Sequence, residues 1–374
     1  MTMHQHAQLD SGRALRIGLM SFAHVHAAGY ARTLHAWPGV EVLCADPDGA
    51  AGPADEVRGA AFAAELGVPY TEMYEELFAW QPDAVVVCSE NTRHRPLVER
   101  AAEAGVHVLC EKPLATTAAD AQAMIDVCER AGVFLMTAFP VRFAPSFEAL
   151  RALVRSGELG EILGATGTNN GRLPSGRAWF TDPALSGGGA VVDHTVHVAD
   201  LLDSLIGQRA VRVRAVSNRI LHGDNPKVSA ESGGLVSITY AGGVVATIDC
   251  SWSQPAHAPT WGGVTLEIVG TNGTVRIDPY AARVGGFDEN AGGEVWIPYG
   301  PNLDHLMLAA FLDGVRSGQA PQPDGHVALR TVQIIAAAQE SVRIGQPVSL
   351  NDVTPSTPPI HGDAFWKQPS VAGA

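Results

Sequence analysis

Lysine is almost missing: of the 25 basic residues only Lys112, Lys227 and Lys367 are lysine, and arginine supplies the rest. Basic charge as a whole is short, since 39 acidic residues leave a formal net charge of −14 and a pI near 5.4. That balance excludes a nucleic-acid partner, which needs a basic face. Long apolar runs are absent too. None approaches the roughly 20 residues that cross a bilayer, so no membrane partner is expected. Residues 1–14 have no apolar signal core and read as a disordered leader. The five cysteines, Cys44, Cys88, Cys110, Cys128 and Cys250, show no CxxC spacing and an odd count. They read as buried, reduced thiols, which excludes a disulfide framework and fits a cytoplasmic protein.

What is present, 374 residues of which 46% are apolar, is enough for two folded domains. From 15 to 139, short apolar runs at 16–20, 40–45, 84–88, 106–110 and 133–137 alternate with amphipathic stretches at 26–34, 58–66, 95–104 and 118–130. Nearly all-apolar strands separated by helices predict a parallel sheet covered on both faces, the doubly wound nucleotide-binding architecture. After Pro140 the strand signals follow one another with glycine turns, at 161–168, 211–220, 235–240, 244–252, 264–269 and 274–277. Several alternate, as in Val211-Arg212-Val213-Arg214, which predicts a large open, mostly antiparallel sheet. Helices are expected near 146–155, 190–205, 304–316 and 327–344. The α/β second domain therefore runs from 140 to 350, and the Pro-, Ser- and Thr-rich segment 351–374 reads as an extended tail.

One expected feature is missing. A Rossmann first turn reads GxGxxG, because glycine permits the tight turn and the close approach to a pyrophosphate. Here the first strand runs into Ser21-Phe22-Ala23-His24-Val25-His26, with no glycine. Ser21 and Ala23 are small enough to stand in, and helix N-terminal amides could hold phosphate. His26 is bulky where glycine usually packs. The second strand ends at Asp46, close to the offset of about 20 residues at which an acidic residue binds the ribose 2′-hydroxyl. A carboxylate there favours NAD over NADP.

The segment Asp83-Ala84-Val85-Val86-Val87-Cys88-Ser89-Glu90-Asn91-Thr92-Arg93-His94, followed by Val106-His107-Val108-Leu109-Cys110-Glu111-Lys112-Pro113-Leu114-Ala115, resembles the glucose–fructose oxidoreductase / inositol dehydrogenase (Gfo/Idh/MocA) family. The stretch Gly187-Gly188-Gly189-Ala190-Val191-Val192-Asp193-His194-Thr195-Val196-His197 resembles that family's second hallmark, GGGxxxDxGxH, with Thr195 in place of its glycine. The resemblance implies an NAD-dependent oxidoreductase acting on a sugar or cyclitol, with Lys112, Asp193 and His197 as the catalytic group. It also implies cofactor contacts from Ser21, Phe22, Ala23, Ser89, Asn91, His94, Glu111 and Lys112, and a homo-oligomer, dimer or tetramer, built through the second sheet. Two other activities occur among such proteins: cleavage of a glycoside by transient oxidation, and non-catalytic NAD-dependent regulation.

The chemistry of these residues supports the same reading. Lys112 follows an apolar strand, so it should project from the carboxyl edge of the sheet, where ligands bind. An ammonium there can polarise a substrate hydroxyl, and a partly buried lysine sheds its proton as arginine cannot. Asp193 and His197 are four apart and share one helix face. A histidine oriented by a carboxylate can take the carbinol proton as hydride leaves. Asn169, Asn170, Arg172 and Trp179 offer the hydrogen-bonding and flat apolar groups that grip a sugar, although a solvated loop would look the same. No metal is expected, because the His194/His197 pair lacks a third ligand and His24, His26 and His257 are scattered in sequence.

Overall fold

The computed structural model describes residues 13–350 except 52, 54 and 55. The expected tail, and the leader up to residue 12, lie outside the described residues. The chain begins β1 (Leu15–Met20), α1 (Ala27–His35), β2 (Val40–Ala45), α2 (Gly59–Leu66), β3 (Tyr70–Thr71) and α3 (Tyr74–Ala79). It continues with β4 (Ala84–Val87), α4 (His94–Glu103), β5 (His107–Cys110), α5 (Ala118–Ala131) and β6 (Leu135–Thr137). All six strands are parallel, in the order β3-β2-β1-β4-β5-β6. The reason is visible in β4, where all four residues are buried: a strand with no polar face needs cover on both sides. The order reverses at β1, which pairs with both β2 and β4, and so opens the crevice where Rossmann folds bind ligands.

The second half places α6 (Pro145–Ser156), β7 (Ile162–Arg172), α7 (Pro183–Ser186) and α8 (Ala190–Ile206) before β8 (Ala210–Asn218) and β9 (Gly233–Tyr240). Then come β10 (Val245–Gln254), β11 (Gly262–Gly270), β12 (Gly273–Ile277), β13 (Arg283–Asp288), β14 (Gly293–Pro298), α9 (Leu303–Ser317), α10 (Gly325–Ile344) and β15 (Val348–Ser349). Seven of these strands form a sheet in the order β12-β11-β7-β10-β9-β8-β15, antiparallel except where β7 meets β10. The mostly antiparallel α/β expectation is met. Ala246, Ile248, Cys250 and Trp252 of β10 are buried while Val245 and Thr247 are exposed, the period-two pattern of a sheet packed on one face. The hairpin β13–β14 was not anticipated. Nor was the length of β7, which carries Asn169, Asn170 and Arg172 on strand rather than loop.

Two helices lock the halves together. Val192 and Val196 of α8 join the core of the first sheet, while Val191, Val198 and Leu201 join that of the second. Along α10, Ala328 and Val332 serve the first core, and Ile334 and Ala338 the second. The triple glycine before α8 is a packing requirement. Gly187 takes φ +83°, and a Cβ on Gly189 would collide with the Glu231 carbonyl oxygen.

Candidate active site

Lys112 leaves the end of β5 at the crevice beside β1 and reaches across to α8. Its Nζ donates to Asp193 Oδ1 at 2.6 Å and to the Asp193 carbonyl at 3.3 Å. The lysine and aspartate expected to act together are thus in contact, one from each half. The other carboxylate oxygen accepts from Trp252 Nε1 at 3.3 Å and lies 3.2 Å from His194 Nε2. Burial alone would raise the Asp193 carboxyl. The Lys112 ammonium and His194 outweigh it and hold the group well below the usual carboxylate range.

The expected Asp193–His197 pair does not form. Asp193 turns to Lys112, His194 and Trp252, and the buried Nδ1 of His197 has no hydrogen-bond partner. An ammonium is a stronger partner for a buried carboxylate than a neutral imidazole. Burial, reinforced by Lys112, pushes His197 well below its ordinary value and leaves it neutral. His194, weighed from the sequence only as half of a metal pair, is instead a strut of the site. Its Nδ1 lies 2.9 Å from the Asn169 carbonyl, and Asn169 Nδ2 donates back to the His194 carbonyl at 3.2 Å. Lys112, Asp193, His194, His197 and Asn169 line a cavity of about 410 Å³, with Trp261 and Tyr280 also in its wall. A second cavity, about 620 Å³, shares Trp261, Tyr280 and Asp304 with the first.

Of the four residues expected to hold substrate along this stretch, Asn169 lines the first cavity and the other three are placed elsewhere. Asn170 accepts from Ser251 Oγ at 2.8 Å and lines the second cavity, because neighbouring strand residues face opposite sides. Arg172 is spent on the Ala258 carbonyl, bracing the loop before β11. Trp179 lies over the β1–α1 loop, its Nε1 donating to the Ala23 carbonyl at 2.9 Å. Trp261 and Tyr280, which the sequence reading missed, join Asn169 at the first cavity.

The cofactor side also differs in part. Ser21 adopts φ +73°, the left-handed turn that the missing glycine would make. Phe22 points into the core against Phe62 and Tyr70 instead of into the crevice. The amides of Ala23, His24 and His26 are already bonded, to Ser21 Oγ, the Cys88 carbonyl and His24 Nδ1. They do not offer the phosphate cradle expected of this loop. Asp46 is 1% exposed and saturated: Arg58 Nη2 and Nε donate to it at 2.7 and 3.1 Å, and the Gly59 amide at 3.0 Å. It does not stand open to a ribose. His94 is a buried tie whose Nδ1 bonds the carbonyls of Pro113 and Leu114 at 3.0 and 3.2 Å, under the Lys112 loop. Ser89 is fully buried with its hydroxyl on the Glu90 carbonyl. Glu111 is fully buried: Oε2 accepts the Lys112 amide at 3.1 Å, and Oε1 lies 2.9 Å from His26 Nδ1 and 3.5 Å from His24 Nδ1.

Residues 17–139 match the oxidoreductase family with an NAD-binding Rossmann fold, and residues 147–276 the GFO/IDH/MocA C-terminal domain. The chain is 32% identical to a D-xylose 1-dehydrogenase (NADP(+)) of Haloferax volcanii, over 79% of this chain and 90% of that one. It is 27% identical to a D-apiose dehydrogenase of Paraburkholderia graminis, over 87% and 88%. Among solved structures, GenD2 from gentamicin A biosynthesis superimposes with TM-score 0.79 at 23% identity, over 90% of this chain and 96% of that one. The chain belongs to the Gfo/Idh/MocA oxidoreductases.

NAD is the cofactor of this Rossmann family, and the crevice fits it at both ends. On the Lys112 side is the 410 Å³ cavity; on the Arg58 side is one of about 960 Å³, lined by Arg58, Glu90 and Arg93. Asn91 Oδ1 and Glu90 Oε2, at the carboxyl end of β4, are buried without partners, as groups awaiting a ligand would be. Arg58 and Glu90 would hold the adenosine ribose, and Asn91, Glu111 and Lys112 the nicotinamide half. Trp179 and Phe180, stacked at 3.9 Å, pack on Ala23 between the two ends. Among the described residues no helix is long and apolar enough to cross a membrane.

Proposed function

We propose that the protein is a cytoplasmic NAD-dependent dehydrogenase that moves a hydride between nicotinamide and a secondary alcohol of a sugar or cyclitol. Residues 15–139 hold the cofactor, and 140–350 shape the substrate site and pair the subunits. The observation that carries this reading is the 2.6 Å Lys112–Asp193 contact beside a neutral, partnerless His197 in one cavity. Relatives acting on D-xylose and D-apiose support the substrate class. When bound, NAD supplies the hydride acceptor. Lys112 orients and polarises the substrate hydroxyl. His197 takes the hydroxyl proton on an imidazole nitrogen, its neutrality making that nitrogen available. Asp193 stays ionised, fixes Lys112 and balances its charge.

A panel of pyranoses, pentoses and cyclitols, followed by NADH absorbance, should find a substrate. On it, His197→Ala should lower kcat by about 10² to 10⁴ while NAD affinity changes little. Lys112→Ala should cost at least as much, and Lys112→Arg should not rescue, since guanidinium keeps its proton. If either alanine variant keeps more than about a tenth of kcat, that residue loses its role. The second cavity, with Trp261, Tyr280 and Trp296 at its walls, favours one further reading, a substrate longer than one ring. Cleavage of an aryl glycoside with no net NADH would then identify a glycosidase acting by transient oxidation. No turnover of any kind would identify a regulator.

A further inference from the structure

Hydride transfer leaves two residues without a role. The loop that should carry glycines carries His24 and His26, and the structure folds both onto the buried Glu111. We propose that His24, His26 and Glu111 form a binding site for a divalent transition-metal ion, of which zinc(II) is the type, in the NAD-free enzyme.

The geometry is that of a nearly assembled site. One donor atom from each residue lies within 4.8 Å of the others. His26 Nδ1 is 2.9 Å and His24 Nδ1 3.5 Å from the same Glu111 oxygen. Ligand bonds of about 2.1 Å at tetrahedral angles separate ligand atoms by about 3.4 Å, so small rotations would admit an ion. Two ligands are held by the strand ends. The Glu111 amide bonds the Val87 carbonyl at 3.0 Å, and the His24 amide the Cys88 carbonyl at 2.8 Å. His24 is 2% exposed against Trp179 and Phe180; its Nε2 has no hydrogen-bond partner, and its Nδ1 would exchange the His26 amide, 3.2 Å away, for the ion.

The chemistry selects the class of ion. Two imidazoles and one carboxylate suit zinc, iron(II), cobalt or nickel, whereas magnesium and calcium prefer all-oxygen sets. Three protein ligands would leave one coordination position free, the composition of a catalytic type of zinc site, and His24 and His26 line the cavity that holds Lys112 and Asp193. The ion and the nicotinamide ribose would both draw on Glu111. Each should therefore weaken the other's binding by the same factor.

The test uses cobalt(II), whose visible absorption reports its ligands. Chelator-stripped full-length protein is titrated with cobalt(II), with and without saturating NAD. The expected result is one ion per chain, displaced by zinc(II), and a weaker apparent affinity when NAD is present. His26→Ala should lose about 100-fold or more in cobalt affinity while still binding NAD, which shows that it is folded. The side chain of His26 is 35% exposed, so the substitution leaves no core cavity. His257→Ala, exposed and outside the cluster, should bind cobalt as the wild type does. Absence of a visible band up to about 1 mM cobalt, or unchanged affinity in His26→Ala, overturns the proposal. The measurement needs no turnover, so it stands or falls apart from the dehydrogenase reading.

Discussion

Asp46 follows β2 at the sequence offset of a ribose-binding acid, but Arg58 matches its charge at 2.7 Å and closes it off. Arg58 also bonds Glu90 at 3.0 Å and Ser21 Oγ at 3.0 Å, and it lines the adjoining cavity. The guanidinium therefore moderates the repulsion that Asp46 and Glu90 exert on a 2′-phosphate. Replacing it should sharpen the preference for NAD. In Arg58→Leu, the ratio of NADP to NAD dissociation constants should rise at least about tenfold, or roughly 1.4 kcal/mol, by fluorescence titration. Removing one partner of a buried pair typically costs about 3 to 5 kcal/mol of stability, so Arg58→Lys serves as the folded control and should stay near the wild-type ratio. An unchanged ratio in Arg58→Leu would show that the 2′-position lies elsewhere. Asp46 was legible because it ends an apolar strand at a known offset. Arg58 was not: it opens the helix expected at 58–66, and no local pattern relates that helix start to the end of β2. Lys112 stood out through the rarity of lysine, whereas its partnership with Asp193 joins two sheets that no local pattern relates.

The elements themselves were legible wherever they were long enough to show a period. The run at 40–45 and the strand Val40–Ala45 coincide, and α5 and α8 lie within a residue of the expected helices. β3 has two residues and α3 six, too few for either pattern to register. The β13–β14 hairpin contains paired glycines that read as turn rather than strand. The β1–α1 loop and the start of α4 each bury a neutral histidine, His24 and His94. Burial lowers both below the ordinary imidazole value of about 6.5. The sign follows: below that pH the unfolded chain takes up protons that the folded chain refuses, so stability is present above about 6.5 and lost as pH falls. Each group can contribute up to about 1.4 kcal/mol per pH unit. Glu111 and Asp193, held low in the fold, do not act in this window, because their unfolded counterparts are ionised there too. Urea unfolding at pH 7.5 and pH 5.5 should show a clear loss of stability at the lower pH, smaller in His94→Gln. Equal midpoints at both pH values would mean that these imidazoles become charged in place.

At the level of the molecule, α8 and α10 tie both cores into one body, and the second sheet is left with an outer face. Leu163, Leu235 and Val245 stand about half exposed on its strands, among serines and threonines. That aliphatic and small-hydroxyl strip, flanked by Arg212, Arg214, Asp249, Glu267 and Arg276 at outward positions of the same sheet, suits a second copy of the same surface, where apolar side chains meet and opposite charges pair. A two-fold axis through that face would place every substitution twice in the interface. Leu235→Glu combined with Thr247→Glu therefore sets four carboxylates against one another across the contact. Both positions are exposed on their strands, so the folded subunit should lose little stability. Light scattering behind size exclusion should give a dimer or tetramer for the wild type and a smaller species for the double variant, with the thermal midpoint of the isolated subunit as control. A wild-type monomer at micromolar concentration would remove the outer face as an interface. An unchanged mass in the double variant would move the contact to another surface.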